Sequence, residues 1–233
     1  MDRQHALQAE VIGRVTRSLK SDDRVNSVWL GGSLGRGAGD ALSDIDLVVV
    51  TNAGQTAGVV ASLVRLIECA GLVSFVHHAP WNAPQDGAQL NVLYDTEPLP
   101  IYVDWNVWPP VARKPRDVET LFERNGLPLD ARATVASTGA ALPATRTDKR
   151  PDDNLDRFRL FMTPIIVKYA VRGNFSEIDR MLRAMRVEAE SPTGIDEVLA
   201  LGETLVQNAS GAEAAEAIAC VRRYLAAIAE HVA

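Results

Sequence analysis

Val25-Asn26-Ser27-Val28-Trp29-Leu30-Gly31-Gly32-Ser33-Leu34-Gly35-Arg36-Gly37, followed after six residues by Asp44-Ile45-Asp46-Leu47-Val48-Val49-Val50, is the stretch on which the fold turns. Val25–Leu30 is short, apolar and β-branched and stops at two glycines, which predicts a strand. A second strand is expected over 45–50, opening directly after Ser43-Asp44. Between them, small residues let backbone N–H groups approach a phosphate closely, and Ser33 adds a hydroxyl donor at the same place. Asp44 and Asp46 are one residue apart, so on a strand their carboxylates share a face while Ile45 and Leu47 point into the core. Two carboxylates held together repel unless a cation joins them, and the hard, oxygen-preferring ion suited to such a pair and to a polyphosphate is Mg²⁺.

Three other readings of the glycine turn fail on its residues. A Walker-type loop ends in Gly-Lys-Ser/Thr, which is not present, and the dinucleotide fingerprint meets Asp40 where it needs glycine. Gly31 to Gly35 satisfies G-x-S-x-G, the nucleophile elbow of α/β-hydrolases. Only 32 residues precede Ser33, however, too few for the strands that come before such an elbow, and His77, His78 and His231 sit in no recognisable base motif.

Outward from this centre, Leu7, Val11, Val15 and Leu19 have the spacing of an amphipathic helix. A helix over 56–70 ends at Gly71, and strands are expected over 72–77, 89–94 and 101–107. The last two are joined by Asp95 to Pro100 as an antiparallel hairpin. In the last strand, Tyr102, Asp104 and Asn106 fall on the face opposite Val103, Trp105 and Val107. Residues 131–151, rich in Ala, Thr, Ser, Gly and Pro, read as a linker, and from Asp152 onward the pattern is helical with turns at Gly173-Asn174, 191–194 and 208–211. The chain of 233 residues therefore divides into a mixed α/β (α+β) domain over 1–148 and a helical-bundle domain over 149–233.

Composition sets the outer limits. A hydrophobic fraction of 47% supports a packed core, and no run approaches the roughly 18 apolar residues of a membrane helix. The mixed-charge N-terminus is not that of a secretory signal, and Cys69 and Cys220, far apart in apolar segments, read as core residues of a reduced, cytoplasmic protein. The net charge of −6 argues against a nucleic-acid partner. It is unevenly spread: −4 over 1–148, +4 over 149–186 and −6 over 187–233, a basic block that suits a local anionic ligand.

Gly-Ser-x-Gly-Arg-Gly, six residues, then Asp-x-Asp-Leu-Val-Val resembles the signature of the DNA polymerase beta superfamily of nucleotidyltransferases. Within it the pattern is similar to the small antibiotic-modifying aminoglycoside and lincosamide branch, where an arginine-glycine pair follows the Gly-Ser as Arg36-Gly37 does here; Gly35 stands where alanine is more usual. The resemblance implies a nucleotidyltransferase fold with a mixed sheet flanked by helices. It implies ATP or another nucleoside triphosphate as co-substrate, one or two Mg²⁺ ions on Asp44 and Asp46, and a small hydroxylated acceptor. It also implies a third carboxylate on a later strand, for which Asp104 is the candidate and Asp95, at a turn, the runner-up. On the nucleotide side it points to Gly32, Ser33, Arg36 and Ser43, and to one lysine of the helical domain. Lys168 is the choice: it lies 11 residues after Arg157, within about 20° on a helical wheel, and one turn before Arg172. The plain alternative for this stripe is a set of surface cations with snorkelling stems. Protein-modifying relatives paired with toxins lack so long a helical domain, and a silent nucleotide-binding relative is disfavoured by the intact Asp44, Asp46 and Asp104. His77-His78 makes a poor metal site, because neighbouring strand residues face opposite ways. Of the four tryptophans, Trp29 and Trp105 read as core, and Trp81 and Trp108 as packing or the wall of an acceptor pocket.

Overall fold

α1 (Asp2–Lys20) forms on its four-residue spacing, with Val11, Val15 and Leu19 buried and Leu7 packed beside them. The computed structural model describes residues 2–144, 155–209 and 215–232. They fall into two compact units, one drawn from residues 1–97 and 101–150, the other from 98–100 and 151–233. The expected boundary at 148/149 lies outside the described residues.

In the first unit, β1 (Val25–Leu30) leads through a single helical turn, α2 (Gly32–Gly35), to β2 (Ile45–Thr51). The helix expected over 56–70 is two pieces, α3 (Thr56–Ala61) and α4 (Leu63–Glu68), broken at Ser62. Two side chains take the Gly58 carbonyl out of the helical ladder: the Arg24 guanidinium donates to it at 2.6 Å and Ser62 Oγ at 3.1 Å. β3 (Val73–His78), β4 (Ala88–Tyr94) and β5 (Ile101–Trp108) follow, and β4 and β5 form the expected antiparallel hairpin. β5 then lies parallel to β2, so the six-stranded sheet, with β7 (Glu119–Glu123) at one edge, is mixed, in the order β3-β4-β5-β2-β1-β7. A small parallel pair joins β6 (Lys114–Pro115) to β8 (Leu129–Asp130).

The edge strand β7 (Glu119–Glu123) is absent from the sequence reading because it is five residues long, acidic at both ends and only half-covered. Arg124 fixes it: its backbone N–H donates to Asn26 O at 2.8 Å, its Nε donates to Val25 O at 3.0 Å, and its guanidinium lies 5.1 Å from the Phe122 ring centre.

Residues 131–144 are not linker. Thr134 and Ser137 make a reciprocal capping box that starts α5 (Val135–Ala141), and Asp117 Oδ1 accepts from the Val135 N–H at 2.8 Å. Small residues read as flexible in sequence, but here they allow close packing: a Cβ on Gly139 would stand 3.2 Å from the Trp108 ring.

The sheet has two distinct faces. Val28, Leu30, Ile45, Leu47, Val49, Val103, Trp105 and Val107 pack under α1, α3 and α4. On the opposite face Trp29, Val48, Val50 and Trp108 form a smaller core with Val135 and Leu142, which makes Trp108 packing and not a pocket wall. Cys220 is buried, but Cys69 is exposed: α4 turns Leu63, Leu66 and Ile67 inward, and the Cys69 thiol donates to Leu66 O.

The second unit holds α6 (Leu155–Val171), α7 (Phe175–Ala184), α8 (Ile195–Asn208) and α9 (Ala215–Val232). α6 continues through Pro164, and Gly173 (φ 69°) ends the chain's run from it at the expected turn. Gly202 sits where a Cβ would lie 3.2 Å from both Leu225 and Thr163, so α6, α8 and α9 meet at a glycine. Among the described residues no helix is long and apolar enough to cross a membrane.

Candidate active site

Strand register assembles the site. Asp46 of β2 and Asp104 of β5 are partners in the parallel ladder, Asp104 faces Asn91 of β4, and Asn91 faces His77 of β3. Residues directly opposite in a ladder share a face, so His77, Asn91, Asp104 and Asp46 form one polar row across four strands. Neighbouring strands are about 4.8 Å apart, which sets the two carboxylates side by side. Asn91 Nδ2 donates to Asp104 Oδ1. His77 is buried, with Trp81 set edge-on at 5.9 Å between ring centres, while His78 is exposed on the other face. Asp44 is half-buried just ahead of β2.

The glycine turn closes against the same carboxylate. The Gly31 N–H donates to Asp46 O at 2.8 Å, extending the β1–β2 ladder. Gly32 has φ 60°, and a Cβ there would fall 1.7 Å from Asp46 Oδ2, so both backbone and space demand glycine. At Gly35 a Cβ would stand 2.1 Å from the Leu30 carbonyl oxygen; the alanine more usual in the resembling family does not fit this turn.

Ser33 Oγ donates to Ser43 Oγ at 3.0 Å. Ser43 is buried, donates to Asp40 Oδ1 at 2.9 Å and accepts from the Asp40 N–H at 2.9 Å. Gln8 of α1 ties this loop down from below, donating to Ser43 O at 2.9 Å and Asp40 O at 3.2 Å. Ser43 thus orients Ser33, whose hydroxyl is engaged with a serine and not with a histidine base of the kind a nucleophile elbow requires. Arg36 is exposed at the end of α2. Lys168 belongs to α6 of the other unit, where it is 6% exposed while Arg157 and Arg172 are exposed. A lysine that buried is not a snorkelling surface cation.

Among the described residues no three His, Cys, Asp or Glu side chains converge as a ready-made metal cage. The register-paired Asp46 and Asp104 still fit Mg²⁺, which keeps several waters and binds through one or two carboxylates plus substrate phosphates. Gln8, Asp40 and Asn91 were not legible as site residues. Asn91 lies on a strand whose polar residues, Gln89 and Asn91, alternate with Leu90 and Val92, but nothing in that pattern names its partner strand.

Residues 12–87, a third of the chain, match the family described as nucleotidyltransferase domain, which supports nucleotidyl transfer as the general activity. The match spans α1 through β3 and includes the glycine turn, Asp44 and Asp46; Asn91 and Asp104 lie beyond it. No curated protein matches the chain significantly.

Proposed function

We propose that the protein is a Mg²⁺-dependent nucleotidyltransferase that moves an NMP, AMP from ATP, onto a hydroxyl of a small molecule, with antibiotics among the candidate acceptors, and releases pyrophosphate. The observation that carries this reading is the ladder pairing of Asp46 with Asp104 beside the Gly32–Ser33 turn. Asp44 and Asp46 would hold the Mg²⁺, whose contribution is to neutralise charge on the α-phosphate and on departing pyrophosphate.

The chain's own groups do the remainder. Gly32 leaves its backbone open to the β- and γ-phosphates, and Ser33, aimed by Ser43, offers its hydroxyl there. Arg36 balances the charge that builds on the leaving group, and the resemblance gives Lys168 the same task. Asp104 serves the acceptor side, either taking the hydroxyl proton or completing the cation's ligands; a carboxylate on a cation is a poor base, so one role excludes the other.

The decisive experiment is a pyrophosphate-release assay with ATP and Mg²⁺ across polyhydroxylated small molecules, aminoglycosides and lincosamides included, with Asp46→Asn alongside. Acceptor-dependent release that Asp46→Asn abolishes, with its melting temperature at or slightly above wild type, is the expected result. Release that survives in Asp46→Asn refutes the assignment.

A further inference from the structure

We propose that Asn91 is a positioning residue for Asp104, an inference that rests on the nucleotidyl-transfer reading above. Asp104 lies in the row between Asp46 on β2 and Asn91 on β4. On one side it meets a like charge that would turn its carboxylate away; on the other it meets an amide that holds it. An ionised carboxylate only accepts hydrogen bonds, so Asn91 presents its nitrogen, and Nδ2 donates to Oδ1. That bond holds Oδ1 on the Asn91 side and so limits the turning of the Asp104 carboxylate.

The identity of the residue matters as much as its place. Asn91 is 9% exposed, so its amide works where water competes little and the bond is worth more than at a surface. It is also neutral. A lysine or arginine there would hold Asp104 equally well but would put a positive charge beside a cation site, and an aspartate would add a third repelling carboxylate. An amide stabilises the ionised form of Asp104 without contributing charge of either sign. Outer partners of this type orient metal-binding carboxylates, and their loss typically weakens metal affinity or activity by about 10–100-fold.

The test is Mn²⁺ binding without nucleotide, followed by electron paramagnetic resonance, on wild type, Asp46→Asn, Asn91→Leu and Asn91→Ser, with kcat and the KM for ATP measured on the same preparations. Asn91→Leu keeps the volume and removes the donor; Asn91→Ser keeps a polar strand residue and removes the reach. Both should raise the Mn²⁺ Kd by about tenfold or more and lower kcat, while the KM for ATP changes less than twofold. Wild-type Mn²⁺ affinity and kcat in whichever of the two folds overturns the proposal. If Mn²⁺ binding is lost in Asp46→Asn but kept in the Asn91 variants, this inference alone fails. A wild-type protein that binds no Mn²⁺ overturns the proposed function and this inference with it.

Discussion

Gly32→Ala separates backbone strain from site geometry, because a second glycine in the same loop supplies the control. Gly32 (φ 60°) and Gly37 (φ 68°) are both left-handed, and alanine at either costs about 1–2 kcal/mol for the conformation alone. At Gly37 a new Cβ meets nothing within 4 Å. At Gly32 it falls 1.7 Å from Oδ2 and 2.6 Å from Cγ of Asp46, so the carboxylate must leave its rotamer. Displacing a side chain from its well adds about 0.5–1.5 kcal/mol, giving roughly 1.5–3.5 kcal/mol for Gly32→Ala. For a unit of this size that is a fall of about 3–14 °C in melting temperature, against about 2–8 °C for Gly37→Ala. The larger contrast is in binding: a displaced Asp46 no longer stands opposite Asp104, so Mn²⁺ affinity should fall at least tenfold in Gly32→Ala and stay at wild type in Gly37→Ala. Calorimetric melts and Mn²⁺ titration of both variants give the answer. Equal loss of stability with unchanged Mn²⁺ affinity in the two would show that Asp46 is not the carboxylate that matters.

Ser33→Ala should weaken nucleotide binding by no more than about 1.5–3 kcal/mol, the worth of one hydroxyl on a charged partner, as read by ATP titration; abolition of a Mg²⁺-independent esterase activity would instead favour the nucleophile-elbow reading. Lys168→Met should raise the KM for ATP, lower kcat, or both, and alter the acceptor's KM less, whereas wild-type kinetics would remove Lys168 from the site. Away from the site, hydrogen bonds from Arg24 hold the Asp22 carboxyl below its usual value. Because that lowered value belongs to the folded state, the pairing stabilises the protein above about pH 4 and the gain is lost as pH falls through it. Urea melts of wild type and Asp22→Asn should therefore differ at pH 7 and converge below about pH 4; a gap that widens on acidification would contradict the sign.

Much of this protein was local enough to be legible in its sequence. Period-four apolar spacing placed α1, an apolar run opening after Ser43-Asp44 placed β2, alternation gave β5 its two faces, and the glycine run announced a turn that only glycine can make. Those are properties of the backbone and of adjacent side chains, so a single strand of text contains them. Where tertiary contacts overrode local preference, the text misled: Arg24 helps split the helix at Ser62, α4 turns Cys69 outward, and a capping box with a tryptophan to pack on makes α5 out of a linker composition. The site divides the same way. Asp44 and Asp46 are one residue apart, so their proposed partnership needed no fold to be suggested. That Asp104 stands opposite Asp46, with Asn91 on its far side, depends on β5 lying parallel to β2 in one register, and a slip of a single residue would have sent both side chains to the opposite face.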